Sequence, residues 1–123
     1  YSIFMESLKG SRGFWRIFRR VSAGSAHTLL FPLFFTPPGN ILSLQSHNFR
    51  SEHWIIVKGE AVVTLGEEKI VKKADESVYI PVKTKHRIQN DTKENMEFIE
   101  IQTGDNLDEN DIIRYEDVYG RTK

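Results

Sequence analysis

From residue 40 onward the chain is cut into short runs of β-branched and aromatic residues, with turn signals recurring about every 8–12 residues. This punctuation limits the possible folds more than any other feature. Trp54–Val57 and Ala61–Leu65 are separated by Lys58-Gly59, and Gly66-Glu67-Glu68 follows as a turn. Lys69–Lys72, Ser77–Ile80 (closed by Pro81), His86–Asn90 and Glu97–Gln102 continue the series. Strands this short and this evenly spaced predict an all-β sandwich or barrel. Before residue 107 only Ile3–Leu8 hints at a helical apolar period. The tail from Asp108 to Tyr119 reads as a short helix or turn followed by an extended end. There are no internal repeats and no low-complexity segments.

Composition removes whole classes of function. At 123 residues the chain has room for one domain. Seventeen basic residues balance seventeen acidic ones, which argues against a strongly basic nucleic-acid binder. The charge is uneven. Lys9, Arg12, Arg16, Arg19 and Arg20 face only Glu6 in residues 1–40, whereas residues 41–123 carry a net −4. The basic arm can touch phosphates, or more simply pack against the acidic C-terminal stretch. With no cysteine there is no disulfide scaffold, thiolate metal site or Cys nucleophile. Any metal must therefore be held by His, Asp, Glu or amide oxygens. The longest apolar run, Leu29–Phe35, is too short to span a bilayer and holds Pro32. No signal-peptide pattern is found, so a cytoplasmic location is expected. The first residue is Tyr1, so either Met5 is the true start or the chain is a piece of a longer one.

Chemistry gathers in two clusters of polar residues. Gln45 and His47 are two apart, so on a strand they share a face. Glu52 follows five residues later, far enough for a turn to bring the chain back. Gly59 fits the next hairpin. The second cluster is Pro81-Val-Lys-Thr-Lys-His86, with Asn90 four residues beyond. Closure of a barrel can set His86 opposite the first strand pair. An amide oxygen, two imidazoles and a carboxylate would then surround one point, a donor set suited to a divalent transition metal with an open position. Alternation points His53 away from this pocket and puts Trp54 in the core beside Glu52.

These spacings resemble the two motifs of the cupin family. Gln45-x-His47, four residues, Glu52, six residues, Gly59 matches the first, with Gln45 in place of a His. Pro81-x-Lys83-x-x-His86-x-x-x-Asn90 matches the second, with Lys83 in place of a Gly that can adopt positive φ. Gln before the first metal-binding His is a feature of phosphomannose isomerases. The closer resemblance is to the C-terminal cupin domain of type II bifunctional mannose-1-phosphate guanylyltransferase/mannose-6-phosphate isomerases. It is carried by Leu42–His47, Arg50–Trp54, Tyr79–Pro81, Lys85–Arg87, Glu100–Gln102 and Glu116–Arg121. It covers about residues 38–121. Gly13-Phe14-Trp15 resembles a damaged form of that branch's opening motif, and His47-Asn48-Phe49 stands where the branch has three successive histidines. Residues 16–37 show no such likeness to the eye and read as a stretch whose reading frame has shifted, which resequencing would test.

The resemblance implies a double-stranded β-helix (jelly roll), with residues 1–37 as an atypical arm and first strands and residues 38–123 as the metal-binding core and tail. It implies interconversion of mannose-6-phosphate and fructose-6-phosphate, in supply of GDP-mannose and polysaccharide. It also implies one divalent metal, zinc by preference, on Gln45, His47, Glu52 and His86. The implied phosphate-binding side chains are Arg50, Lys85 and Arg87, with solvated loop charges an equal alternative. Glu100 and Gln102 share one strand face and Ile99 and Ile101 the other. Glu100 is thus a candidate base beside a catalytic Arg50 if the polar face lines the barrel, with a metal-bound hydroxide the other candidate, and Glu100 is an ordinary salt-bridge residue if it faces out. A homodimer is expected, with a small sugar phosphate as partner and neither nucleic acid nor membrane. The competing functions are a non-catalytic binding or dimerisation module and a different metal-dependent cupin such as an oxygenase. No Gly-rich nucleotide-binding loop is present, so this chain cannot itself transfer a nucleotidyl group.

Overall fold

A computed structural model describes the backbone of residues 3–9, 15–23, 27–104 and 110–117, and the side chains of residues 34–104 and 110–117. Every regular element among them is a strand. In chain order these are β1 (Ile3–Lys9), β2 (Trp15–Ala23), β3 (His27–Thr36), β4 (Leu44–Ser46), β5 (Arg50–Lys58) and β6 (Glu60–Leu65). β7 (Glu68–Lys73), β8 (Ser77–Ile80), β9 (His86–Gln89), β10 (Met96–Gly104) and β11 (Ile113–Glu116) complete the series. They form two antiparallel sheets. One has the order β1-β2-β3-β10-β5-β8 and the other β11-β4-β9-β6-β7. All six strands expected between residues 54 and 102 are present.

One expectation is corrected. Ile3–Leu8 is strand, because its residues pair along β2 from Ile3↔Val21 to Lys9↔Trp15, and the ladder overrides a weak helical period. The tail takes the turn-and-extended form among the forms expected of it: Asn110 lies in a turn and β11 then pairs antiparallel with β4, Ile113 opposite Ser46. Residues 105–109 and 118–123, the remainder of that tail, lie outside the described residues, as does most of Gly13-Phe14-Trp15.

The core has an apolar end and a polar end, and strand alternation produces both. On β5 the buried face runs Arg50, Glu52, Trp54, Ile56. On β10 it runs Met96, Phe98, Glu100, Gln102. The register sets Ile56 against Phe98, Trp54 against Glu100 and Glu52 against Gln102. Phe34 stacks on Phe98 with ring centroids 4.7 Å apart, and Ala61, Val63, Val78, Ile80, Ile88 and Met96 fill the apolar end. Each large side chain buried there contributes about 1.5–3 kcal/mol. That apolar half supports a polar half carrying buried charge.

Two motif residues are structural. Gly59 joins β5 to β6 at φ +83°, and a Cβ there would meet Asn95 O at 2.9 Å. Asn90 is fully buried; its amide donates to Thr36 O and Glu94 O and accepts from Thr92 N–H and Oγ1–H. Pro32 sits inside β3, which has neighbours on both sides. The β3–β10 register runs to Ile99↔Leu33 and resumes at Gln102↔Leu30, so pairing lapses opposite Pro32, which offers no N–H.

Candidate metal centre

Three of the sequence-predicted ligands meet at the polar end. His47 follows β4, Glu52 lies on β5 and His86 opens β9, and all three are buried. One ligand atom of each lies within 4.8 Å of the others. Glu52 Oε2 is 3.4 Å from His47 Nε2, and Glu52 Oε1 is 3.2 Å from His86 Nε2. The second nitrogen of each ring contacts the main chain. His47 Nδ1 lies 2.6 Å from Asp111 O, and His86 Nδ1 lies 2.9 Å from Thr84 O. A carbonyl can only accept, so both Nδ1 atoms carry protons and each neutral ring presents its Nε2 lone pair to the cluster.

That arrangement fits a divalent ion. Glu52 Oε1 and His86 Nε2 are buried without a hydrogen-bond partner, because in the neutral state each offers only a lone pair to the other. A cation ligated at about 2.0–2.2 Å from imidazole nitrogen and carboxylate oxygen satisfies both. Lacking a cation, the pair relies on a proton. Burial works against charge on His86, but the hydrogen bond and attraction to Glu52 outweigh it and raise its pKa. Burial likewise opposes charge on Glu52, but His86, Arg50 and His47 pull its pKa down to about 2. Burial lowers the pKa of His47.

Gln45 sits beside this cluster, paired across the ladder with His86, and its Oε1 accepts a hydrogen bond from Ser43 Oγ at 2.7 Å. Arg50 is inside the site. Its Nε donates to Glu52 Oε2 at 3.1 Å, and its Nη2 lies 3.2 Å from His47 Nε2. Lys85 and Arg87 are elsewhere. Lys85 is exposed, its Nζ 4.3 Å from the centre of the Tyr115 ring. Arg87 alternates away from His86; its guanidinium donates to Leu42 O and to the Glu116 side chain and carbonyl. The structure therefore brings Arg50 to the candidate metal ligands and leaves the other two candidate cations outside the barrel.

Glu100 faces inward, not toward solvent as its salt-bridge alternative required; it is 5% exposed. Trp54 Nε1 donates to its Oε1 at 2.9 Å, and Gln102 Nε2 donates to its Oε2. Burial and the nearby Glu52 charge push its pKa up to about 7, a value suited to proton transfer near neutrality. Asp111 carried no signal, because it touches His47 across 64 residues of chain. His53 is exposed and packs on Tyr79, with ring centroids 4.8 Å apart.

Comparison with known proteins decides the family. The sequence matches Mannose-6-phosphate isomerase C-terminal over residues 14–117. The chain belongs to that family. The match takes in residues 16–37, where no likeness is visible by eye. Among relatives, the chain is 52% identical over 85 residues to xanthan biosynthesis protein XanB of Xanthomonas campestris pv. campestris. It is 49% identical over 85 residues to alginate biosynthesis protein AlgA of Pseudomonas aeruginosa. It is 51% identical over 85 residues to mannose-1-phosphate guanylyltransferase of Salmonella montevideo. These matches cover 68–69% of this chain but 18% of each relative. The matched stretch thus spans less than a fifth of those proteins. Solved structures agree on a cupin fold. A double-stranded β-helix protein from Klebsiella pneumoniae superposes with a TM-score of 0.67 at 18% identity, covering 89% of this chain and 90% of its own. A cupin 2 conserved barrel protein from Rhodopseudomonas palustris gives 0.68 at 16%, covering 87% and 74%. This member of the mannose-6-phosphate isomerase C-terminal family is an all-β cupin with a His-Glu-His cluster in its polar end. Among the described residues no helix is long and apolar enough to cross a membrane.

Proposed function

We propose that the chain is a metal-dependent aldose–ketose isomerase that interconverts mannose-6-phosphate and fructose-6-phosphate, as part of a mannose-1-phosphate guanylyltransferase-type protein. The observation that carries this reading is the meeting of His47, Glu52 and His86 beside a buried carboxyl, Glu100, whose pKa is near 7. His47, Glu52 and His86 would hold the ion, zinc by preference, with the Gln45 amide oxygen as fourth donor. A bound divalent ion would supply Lewis-acid polarisation of the sugar carbonyl. Glu100 carries the carbon-bound proton between C1 and C2, removing it from one carbon as carboxylate and returning it to the other as acid, while the hydroxyl proton passes between O1 and O2 so that aldose and ketose balance. Trp54 and Gln102 hold both its oxygens in place meanwhile. Arg50, the cation inside the barrel, pairs with the phosphate.

A non-catalytic sugar-phosphate module is the second reading. It is favoured by the engagement of Arg50 with Glu52 and His47, which leaves that guanidinium fewer donors for a ligand. An assay of fructose-6-phosphate formation by the purified chain, with zinc and again with a chelator, separates the two. Turnover that the chelator abolishes supports the isomerase. Metal uptake without turnover rejects it in favour of the module. The same assay in light-scattering fractions tests the homodimer.

A further inference from the structure

Asp111 makes three hydrogen bonds to the turn that carries His47, one to the ring and one to each of the next two residues. Its main-chain oxygen lies 2.6 Å from His47 Nδ1. Its carboxylate accepts from the next two backbone N–H groups, Asn48 to Oδ1 at 2.8 Å and Phe49 to Oδ2 at 2.9 Å. Lys83 N–H also holds this turn, donating to His47 O at 2.7 Å. Asp111 is buried although Asn48 and Phe49 are exposed, so the carboxylate reaches under an open turn. The segment that carries it is anchored to the same strand: β11 pairs with β4, and Tyr115 OH bonds Ser46 Oγ at 2.9 Å.

We infer that Asp111 is a positioning residue for the metal centre: one residue of the C-terminal segment both sets the tautomer of the His47 ring and clamps the turn that aims it. The inference rests on the metal-centre reading above. The carbonyl fixes the proton on Nδ1 and so leaves Nε2 as the ligating lone pair. The carboxylate holds the two N–H groups that follow His47, which fixes where the ring stands relative to Glu52. The two functions belong to one residue, so loosening the carboxylate also displaces the carbonyl.

Asp111→Asn tests this with little change in size. An amide offers one acceptor oxygen and turns an NH2 toward the other backbone N–H, so one of the two clamp bonds is lost. The readouts are zinc affinity, by competition with a chelator of known affinity, and the visible absorption spectrum of the cobalt-substituted chain. We expect affinity to fall about 10- to 100-fold, as for other residues that orient a ligating histidine, with a changed cobalt spectrum. Tyr115→Phe, which releases the same segment from Ser46 without touching His47, should stay within about threefold of wild type and keep the wild-type spectrum. Melting of the metal-free proteins separates folding from positioning. An Asp111→Asn chain that melts lower yet binds zinc with wild-type affinity and spectrum overturns the inference, leaving a structural strut. Equal losses in Asp111→Asn and Tyr115→Phe also overturn it, since the effect would then belong to the whole segment. A wild-type chain that takes up no metal overturns the metal-centre reading itself, a result the variants cannot mimic.

Discussion

Glu100 owes its chemistry to its surroundings. A carboxyl with a pKa raised to about 7 is protonated in the fold where it would be ionised in the unfolded chain. Its contribution to stability is therefore full below its ordinary value of 4.5 and is lost as pH rises toward 7. The metal-free chain should lose stability across that window, by up to about 3 kcal/mol from this group. Thermal melts of the chelated chain from pH 4.5 to 7.5 check this. Glu100→Gln should flatten the slope, and should cut any isomerase turnover by about 10²- to 10⁴-fold. A slope unchanged in the variant would assign the pH dependence to another group. Lys83 is the second residue with an environment of its own. It keeps φ +63°, the left-handed conformation of the Gly it replaces, and its side chain is exposed. Lys83→Gly removes a strain of about 1–2 kcal/mol and adds about 0.5–1 kcal/mol of unfolded-state freedom. A net gain of about 0.5 kcal/mol in denaturant unfolding is expected. That both residues deserved scrutiny could be seen in the sequence, Lys83 from the broken motif and Glu100 from alternation. The side Glu100 faces could not, because β10 is polar or half-buried on both faces at that end and only the pairing with Trp54 resolves it.

Among the elements, the turn between β9 and β10 shows how a motif residue can serve the frame instead of the chemistry. Asn90 ties Thr36, Thr92 and Glu94 together at the apolar end, away from His86. Asn90→Ala strands the buried Thr36 carbonyl and breaks the bonds to Glu94 O and Thr92 N–H, and should cost on the order of 3 kcal/mol. Zinc affinity of the folded fraction should stay within about threefold, since no ligand moves. Urea melts and chelator competition on one preparation measure both. A large loss of affinity at unchanged stability would place Asn90 in the site instead. The strands from Trp54 to Gln102 could be read in advance, because each is a β-branched run bounded by Gly, Pro or a charged turn. β1 and β11 could not. Their local patterns are weak, and what makes them strands is a ladder partner, β2 for one and β4 for the other.

For the whole molecule, folding and metal binding are coupled. The cluster places one carboxylate and two imidazoles in a buried space, and in the metal-free state the Arg50 guanidinium and a ring proton balance the Glu52 charge. An ion that binds only the folded chain stabilises it by about 2.7 kcal/mol at a free concentration 100 times Kd. Zinc should therefore raise the melting temperature by several degrees, and a chelator should reverse the gain. His86→Ala should abolish the response, and a variant that still gains as much as wild type would mean that the ion sits elsewhere. The sequence alone determined the β architecture, the two motifs and three residues of the site, because strand alternation and ligand spacing are local and periodic. Tertiary structure alone decided which way Glu100 faces and what holds His47. Each of these depends on contacts between residues 46 or more apart in the chain, or on which side of a closed barrel a side chain falls, and one-dimensional spacing carries neither.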